Sequence, residues 1–348
     1  MARLGVLFCL LFAGWVQMIF ANDSAMVSIS RPFGYARFEF GEVRGGGNPD
    51  LTTDKRWRQI SSIGLQFKAI IDKRLAVNLH ARAAQYLAIE QLTSTPDNMA
   101  IREAYGTYSF GDVNRSPLEL TAGMFNMKYN PYSQVLGEYL FRSGICPQWV
   151  TSYYEFPMAR QQGFRAGGTI GPADNFLRYD IVFYSEPLFR PQFDWSLGAF
   201  ARYSWRKSIG IGFGAVMADL IPLDKSRITF DDTKPVYDSN SVLIRTDTIH
   251  YTYQDISCAA MIHFDPKPLF GIEKYFNPSD LRIYVEVGLL GITNQRVYDN
   301  ISERAPTVVG ICIPAWKVLD ILSVELEYFG TPFRGDPDKA GTPAPIKS

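Results

Sequence analysis

Cysteine, histidine and net charge are all scarce in this chain, and each shortage removes a class of function. The 348 residues carry 35 basic and 35 acidic side chains, so there is no electrostatic footprint for nucleic acid. His80, His250 and His263 fall in separate segments without metal-ligand spacing, and no cofactor is implied. No motif sets a nucleophile beside a base, so the chain is not read as an enzyme. Cys9 lies in an apolar leader, leaving Cys146, Cys258 and Cys312, an odd number that speaks against a disulfide framework. Cys258 and Cys312 read as apolar filler in strands.

Long apolar runs are missing as well, once the leader is set aside. Residues 1–21 read as a secretory signal, with Arg3 followed by a stretch from Leu4 to Phe20 that is apolar apart from Gln17. An uncleaved anchor is the rival reading of the same segment. No later stretch reaches 18 uninterrupted apolar residues, the length that marks a spanning helix. A membrane-embedded mature chain would therefore cross with strands.

What the chain has in abundance is alternation of period two. In Leu75-Ala-Val-Asn-Leu-His-Ala-Arg-Ala83 the apolar residues fall on one face, while Asn78, His80 and Arg82 fall on the other. Ile63, Leu65, Phe67, Ala69 and Ile71 likewise oppose Gly64, Gln66 and Lys68. Leu177, Tyr179, Ile181 and Phe183 oppose Arg178 and Asp180. The run Phe193, Trp195, Leu197, Ala199, Ala201, Tyr203, Trp205 opposes Asp194, Ser196, Gly198, Arg202 and Ser204. Its aromatic residues sit at both ends of the apolar face, as an aromatic girdle at each lipid interface requires.

Thirteen strands are expected, near 34–43, 60–71, 74–87, 100–110, 117–127, 160–170, 176–184, 193–205, 208–218, 249–263, 281–291, 307–313 and 322–329. The connections alternate: 44–59, 88–99, 128–159, 185–192 and 219–248 are the longer ones, while 72–73, 111–116, 171–175 and 206–207 are short. Segment 264–280 breaks the rhythm with Pro266, Pro268 and a helix-like Leu269 to Phe276. It reads either as an elaborated turn or as a slip in the strand count. The fold class expected is all-β, a transmembrane antiparallel up-and-down barrel of about 12–16 strands over residues 22–334. Residues 335–348 read as a flexible polar tail. An odd strand count and the lack of a terminal aromatic strand suggest a miscounted strand, or a chain continuing past Ser348.

Sorting charges by strand phase gives the residues expected to line a lumen: Lys68, His80, Arg82, Arg178, Asp180, Asp194, Arg202, Arg282 and Glu286, with Glu119, Glu325 and Glu327. A lipid-facing Arg or Lys at mid-bilayer would cost about 2–4 kcal/mol, which is why phase carries information. The signs nearly balance, so no ion preference follows. Ion pairs that simply fill a narrow barrel are the alternative.

Loop 128–159 is the densest candidate for function. Its Tyr129, Tyr132, Leu136, Tyr139, Leu140, Phe141 and Trp149 are too many large apolar side chains to lie in water unpacked. Folded inward, it would form a pore constriction with Glu138 and Arg142 at helical i, i+4 spacing. Folded on the rim, it would be a lid.

With these segments in view, the chain resembles porin-like outer-membrane barrels of Gram-negative bacteria. Arg102-Glu-Ala-Tyr-Gly-Thr-Tyr108, Tyr129-Asn-Pro and Leu136-Gly-Glu-Tyr-Leu-Phe-Arg-Ser-Gly144 are similar to segments of barrels from fibre-degrading bacteria. The resemblance implies an outer-membrane channel for passive diffusion of small hydrophilic solutes, with an inward third loop setting the pore. The expected partners are outer-membrane lipid, the barrel-insertion machinery, those solutes and identical subunits. A non-conducting barrel that binds polysaccharide or adheres through its long loops is the second expectation.

Overall fold

A computed structural model describes residues 27–29, 32–42, 57–88, 98–111, 115–134, 136–141, 159–185, 194–223, 229–237, 241, 243–252, 254–292, 300–315, 319–330 and 346–347. The strands are β1 (Val27–Ile29), β2 (Phe33–Glu42), β3 (Trp57–Ile71), β4 (Leu75–Ala88), β5 (Asn98–Ser109), β6 (Glu119–Met127), β7 (Ala159–Ile170), β8 (Asn175–Ser185) and β9 (Trp195–Trp205). They continue as β10 (Ile209–Ile221), β11 (Thr229–Tyr237), β12 (Leu243–Thr252), β13 (Asp255–Phe264), β14 (Ile283–Leu289), β15 (Thr307–Cys312), β16 (Ser323–Tyr328) and β17 (Ile346–Lys347). A short helix, α1, covers Lys267–Phe270. Among the described residues no helix is long and apolar enough to cross a membrane.

Fourteen strands form one antiparallel sheet in chain order from β3 to β16, with β10 pairing directly with β13 and both β1 and β2 pairing with β3. They occupy thirteen lanes, because β1 and β2 lie end to end along β3. All thirteen expected strands correspond to these lanes, with one correction in the segment 249–263. Residues 249–252 belong to β12 and the sheet lane is β13 alone, since the chain changes sheets between Thr252 and Asp255.

The long connection after β10 holds a feature the alternation does not reveal. Strands β11 and β12 form a hairpin outside the main sheet, and β17 adds to it through Tyr251 opposite Lys347 and Thr252 opposite Ile346. Two residues of the expected polar tail are therefore paired.

The two shortest expected connections are tight turns. Residues 72–73 and 206–207 are turn centres with positive φ at Asp72, Lys73, Arg206 and Lys207. Arg74 N–H closes the first on the Ile71 carbonyl at 3.1 Å, and Ser208 N–H closes the second on Trp205 at 2.9 Å. This left-handed geometry follows the twist of the flanking strands. The segment between β13 and β14 is an elaborated turn, so the strand count does not slip there. Pro266 opens α1 and Gly271, at φ 64°, ends it.

Inside and outside are distinct on β3, β4, β8, β9 and β10 where their side chains are described. Ile63, Leu65, Phe67, Leu79, Ile181, Tyr203 and Phe213 face outward and are exposed, while Ser62, Asn78, His80, Arg82, Asp180 and Ser204 are buried on the opposite face. The inner face also carries an apolar cluster. Phe125 and Met127 of β6, Val182 and Tyr184 of β8, Phe200 of β9, Val216 of β10, and Ala259 and Met261 of β13 pack with Tyr129, Leu140 and Phe141. The two cysteines of the described residues are free thiols, Cys312 buried in β15 and Cys258 half-buried in β13.

Candidate functional site

The segment after β6 runs inside the sheet. Tyr129, Asn130, Ser133, Glu138, Tyr139, Leu140 and Phe141 are all buried. Tyr129 lies tilted against Phe200 with ring centroids 4.6 Å apart and meets Phe141 edge-on at 5.9 Å. Gly198 of β9 leaves the space Phe141 occupies, since a Cβ there would lie 2.5 Å from the Phe141 ring. Tyr139 crosses to the far wall and packs on Val308 of β15. Apolar burial, with no helix, puts the loop here.

Two carboxylates on the wall hold its backbone and a third holds a side chain. Glu286 of β14, 0% exposed, accepts from the amide of Glu138 at 2.7 Å and of Tyr139 at 3.2 Å. The Tyr129 hydroxyl and the Asn130 side-chain amide, the latter at 2.7 Å, also donate to it. Glu325 of β16 accepts from the amides of Gln134 and Leu136, the second at 2.8 Å, and from the Tyr284 hydroxyl. Glu327 accepts from the Tyr139 hydroxyl at 2.6 Å. On the other edge of the sheet, Arg37 of β2 donates to the Gln134 carbonyl. Buried backbone groups need partners, and here the wall supplies them.

Glu138 has a role of its own. It is 3% exposed, with φ 63°, and its carboxylate accepts from the amides of Tyr129 (3.1 Å) and Asn130 (2.9 Å) and from Ser133 Oγ (3.3 Å). It ties the loop to itself. Burial first, then the Glu286 carboxylate, push its acid up to about 8, while Lys128 opposes them. No helix forms over 136–141, where Gly137 and Glu138 have positive φ, so Glu138 does not stand on a helical face there. Arg142 lies outside the described residues.

The remaining expected lumen residues fall into separate groups. Lys68, His80 and Arg82 lie on the inner face of β3 and β4, where the Tyr35 hydroxyl meets His80 Nε2 at 3.1 Å. Arg178 and Asp180 join a quartet: Arg165 reaches Asp180 at 2.6 Å and Glu119 at 3.8 Å, and Arg178 reaches the same two at 3.5 and 3.7 Å. Asp194, just before β9, accepts from the Leu223 amide at 2.9 Å, so it anchors the start of the long β10–β11 connection. Arg282 pairs with Asp265 at 3.0 Å. Arg202 faces the Tyr132 ring from 5.8 Å.

Strand phase alone misses Arg102 and Glu103. The β4–β5 register skips a residue between His80 and Ala81, so Arg102 sits at a bulge and both residues turn from solvent. Arg165 is also missed, though its inward phase on β7 was readable.

No family model matches the chain, and no curated protein matches it in sequence. Among solved structures, Pseudomonas putida OprB in its high-pH form is similar with a TM-score of 0.39 and 10% identity, over 86% of this chain and 78% of that one. A variant of the Rh. blastica porin is similar with a TM-score of 0.36 and 11% identity, over 88% of this chain and 96% of that one. A second variant of the same porin has a TM-score of 0.38 at 11% identity, with the same coverage.

Proposed function

We propose that the chain is an outer-membrane channel for passive diffusion of small hydrophilic solutes, narrowed by the loop 128–141. The observation that carries this reading is the division of the sheet into an exposed apolar outer face and a charged inner face, with a loop anchored across the interior. In water, so continuous an apolar exterior would aggregate; in a bilayer it is the favourable surface. The charged lumen groups gain a polar path only if water shares the interior with them.

The apolar cluster under the loop fills part of that interior, and favours a second reading in which the barrel is inserted but does not conduct. Liposome swelling separates the two. Vesicles carrying the refolded chain should admit small neutral sugars at rates that fall with solute size. Swelling no faster than empty vesicles, with insertion confirmed, would sink the channel and leave the non-conducting barrel.

A further inference from the structure

We propose that Arg202, Arg282 and His263 form a binding site for a small oxyanion around Tyr132. This deepens the channel reading by naming a solute class, and it rests on that reading only for its physiological meaning.

The three groups converge on one ring. The guanidinium of Arg282 lies 5.0 Å from the Tyr132 centroid, that of Arg202 5.8 Å, and the His263 ring 3.9 Å. Tyr132 belongs to the inward loop, while Arg202 stands on β9, His263 on β13 and Arg282 just ahead of β14. On the strand between β9 and β13, register places Gly212 opposite Arg202 and Gly210 opposite His263, so β10 adds no side chain of its own there, and Phe200 and Met261 fill the space over Gly212. A Cβ at Gly210 would overlap the His263 ring.

Charge around the site is unevenly matched. Arg165 and Arg178 share Glu119 and Asp180, two cations on two carboxylates. Lys267 and Arg282 both rest on Asp265, while the Asp280 carboxylate accepts from the amides of Asn277 and Ala315. Among the described residues no carboxylate comes within ion-pair distance of Arg202, and Asp180 and Glu138 act on it only from farther off. Its Nε and Nη1 are enclosed and have no hydrogen-bond partner among the described residues. The same is true of both ring nitrogens of His263, a residue only 1% exposed.

Enclosed donors of this kind call for an acceptor. A guanidinium presents its N–H groups as a planar fork that matches the oxygens of a carboxylate or phosphate. The neutral imidazole adds one donor. A cation would be repelled by both arginines, and a neutral sugar would leave their charge unmatched.

The test is calorimetric titration of the refolded full chain in detergent micelles, with inorganic phosphate and acetate as separate probes. Saturable binding of at least one probe is expected, weakened about tenfold or more by Arg202→Gln and by His263→Gln. Lys207→Gln, in an exposed turn, should bind as the parent does. Arg202→Lys keeps the charge and loses the fork, so it decides the matter if Arg202→Gln does not refold, and its expected affinity is below that of the parent. Which probe binds more tightly separates phosphate from carboxylate. Failure of both probes to saturate, or parent-like affinity in the Arg202 and His263 variants, would overturn the site. A chain that binds phosphate yet never conducts would contradict the channel and leave this site standing. One that conducts without binding either probe would contradict the site alone.

Discussion

Arg37 on the first lane of the sheet and Glu325 on the last bind the carbonyl and the amide of the same residue, Gln134. The two edges of a thirteen-lane sheet therefore converge on one point of an interior loop. Among the described residues no hydrogen-bonded pairing joins β2 to β16. The loop is the bridge between them, and its anchorage is open to direct perturbation.

Glu286 is the central anchor. Glu286→Ala would strand two backbone amides, the Tyr129 hydroxyl and the Asn130 side chain in a buried site, a loss of roughly 3 kcal/mol at least. The variant should unfold at lower urea concentration and expose the loop to protease cleavage near Tyr139. Glu286→Gln keeps one acceptor oxygen and should fall between the two.

Packing holds the same loop by a route independent of charge. A Cβ at Gly288 would lie 2.7 Å from the Tyr139 Cβ. Gly288→Val should push the loop off the wall without changing any charge, so single-channel conductance should rise while ion selectivity stays as it was. Reversal potentials in a salt gradient check the second half.

Acidity enters through Glu138. Its acid is raised from the ordinary value of 4.5 to about 8 in the folded loop. The folded state then holds a proton that the unfolded chain has lost, so loop stability falls as pH rises from about 4.5 to about 8. Proteolysis of the loop should be slower at pH 5 than at pH 9, measured with a protease active at both. Glu138→Gln should flatten the difference.

In the proposed channel the outer face meets lipid. Phe213 points outward from the middle of β10 and is 60% exposed. Phe213→Arg should cost about 2–4 kcal/mol of stability in bilayers, seen as a lower yield of folded, inserted barrel. In a protein whose outer face met water the same change would be nearly neutral.

Much of this architecture was legible from alternation alone. Leu75 to Ala83 and Phe193 to Trp205 place their faces correctly, because a strand inverts its side chains at every residue and lipid tolerates few exceptions. Thr229–Tyr237 and Leu243–Thr252 gave no such signal. Their polar residues, with Pro235 among them, follow no membrane face, since the hairpin lies outside the main sheet. The bulge at Arg102 hid two inward charges by breaking phase within a strand. Glu286 and Glu325 were readable as inward-facing, but not as anchors. Their partners in the loop lie 147 to 191 residues away in sequence, and only the packing of that loop against β14 and β16 brings them together.

Single-channel recording in planar bilayers can compare the parent chain with one lacking Leu136 to Phe141. Discrete conductance steps are expected from the parent and larger steps from the deletion, because the loop crosses the passage it narrows. Equal steps from two inserted, folded barrels would contradict the interior constriction. Silence from both would contradict the channel.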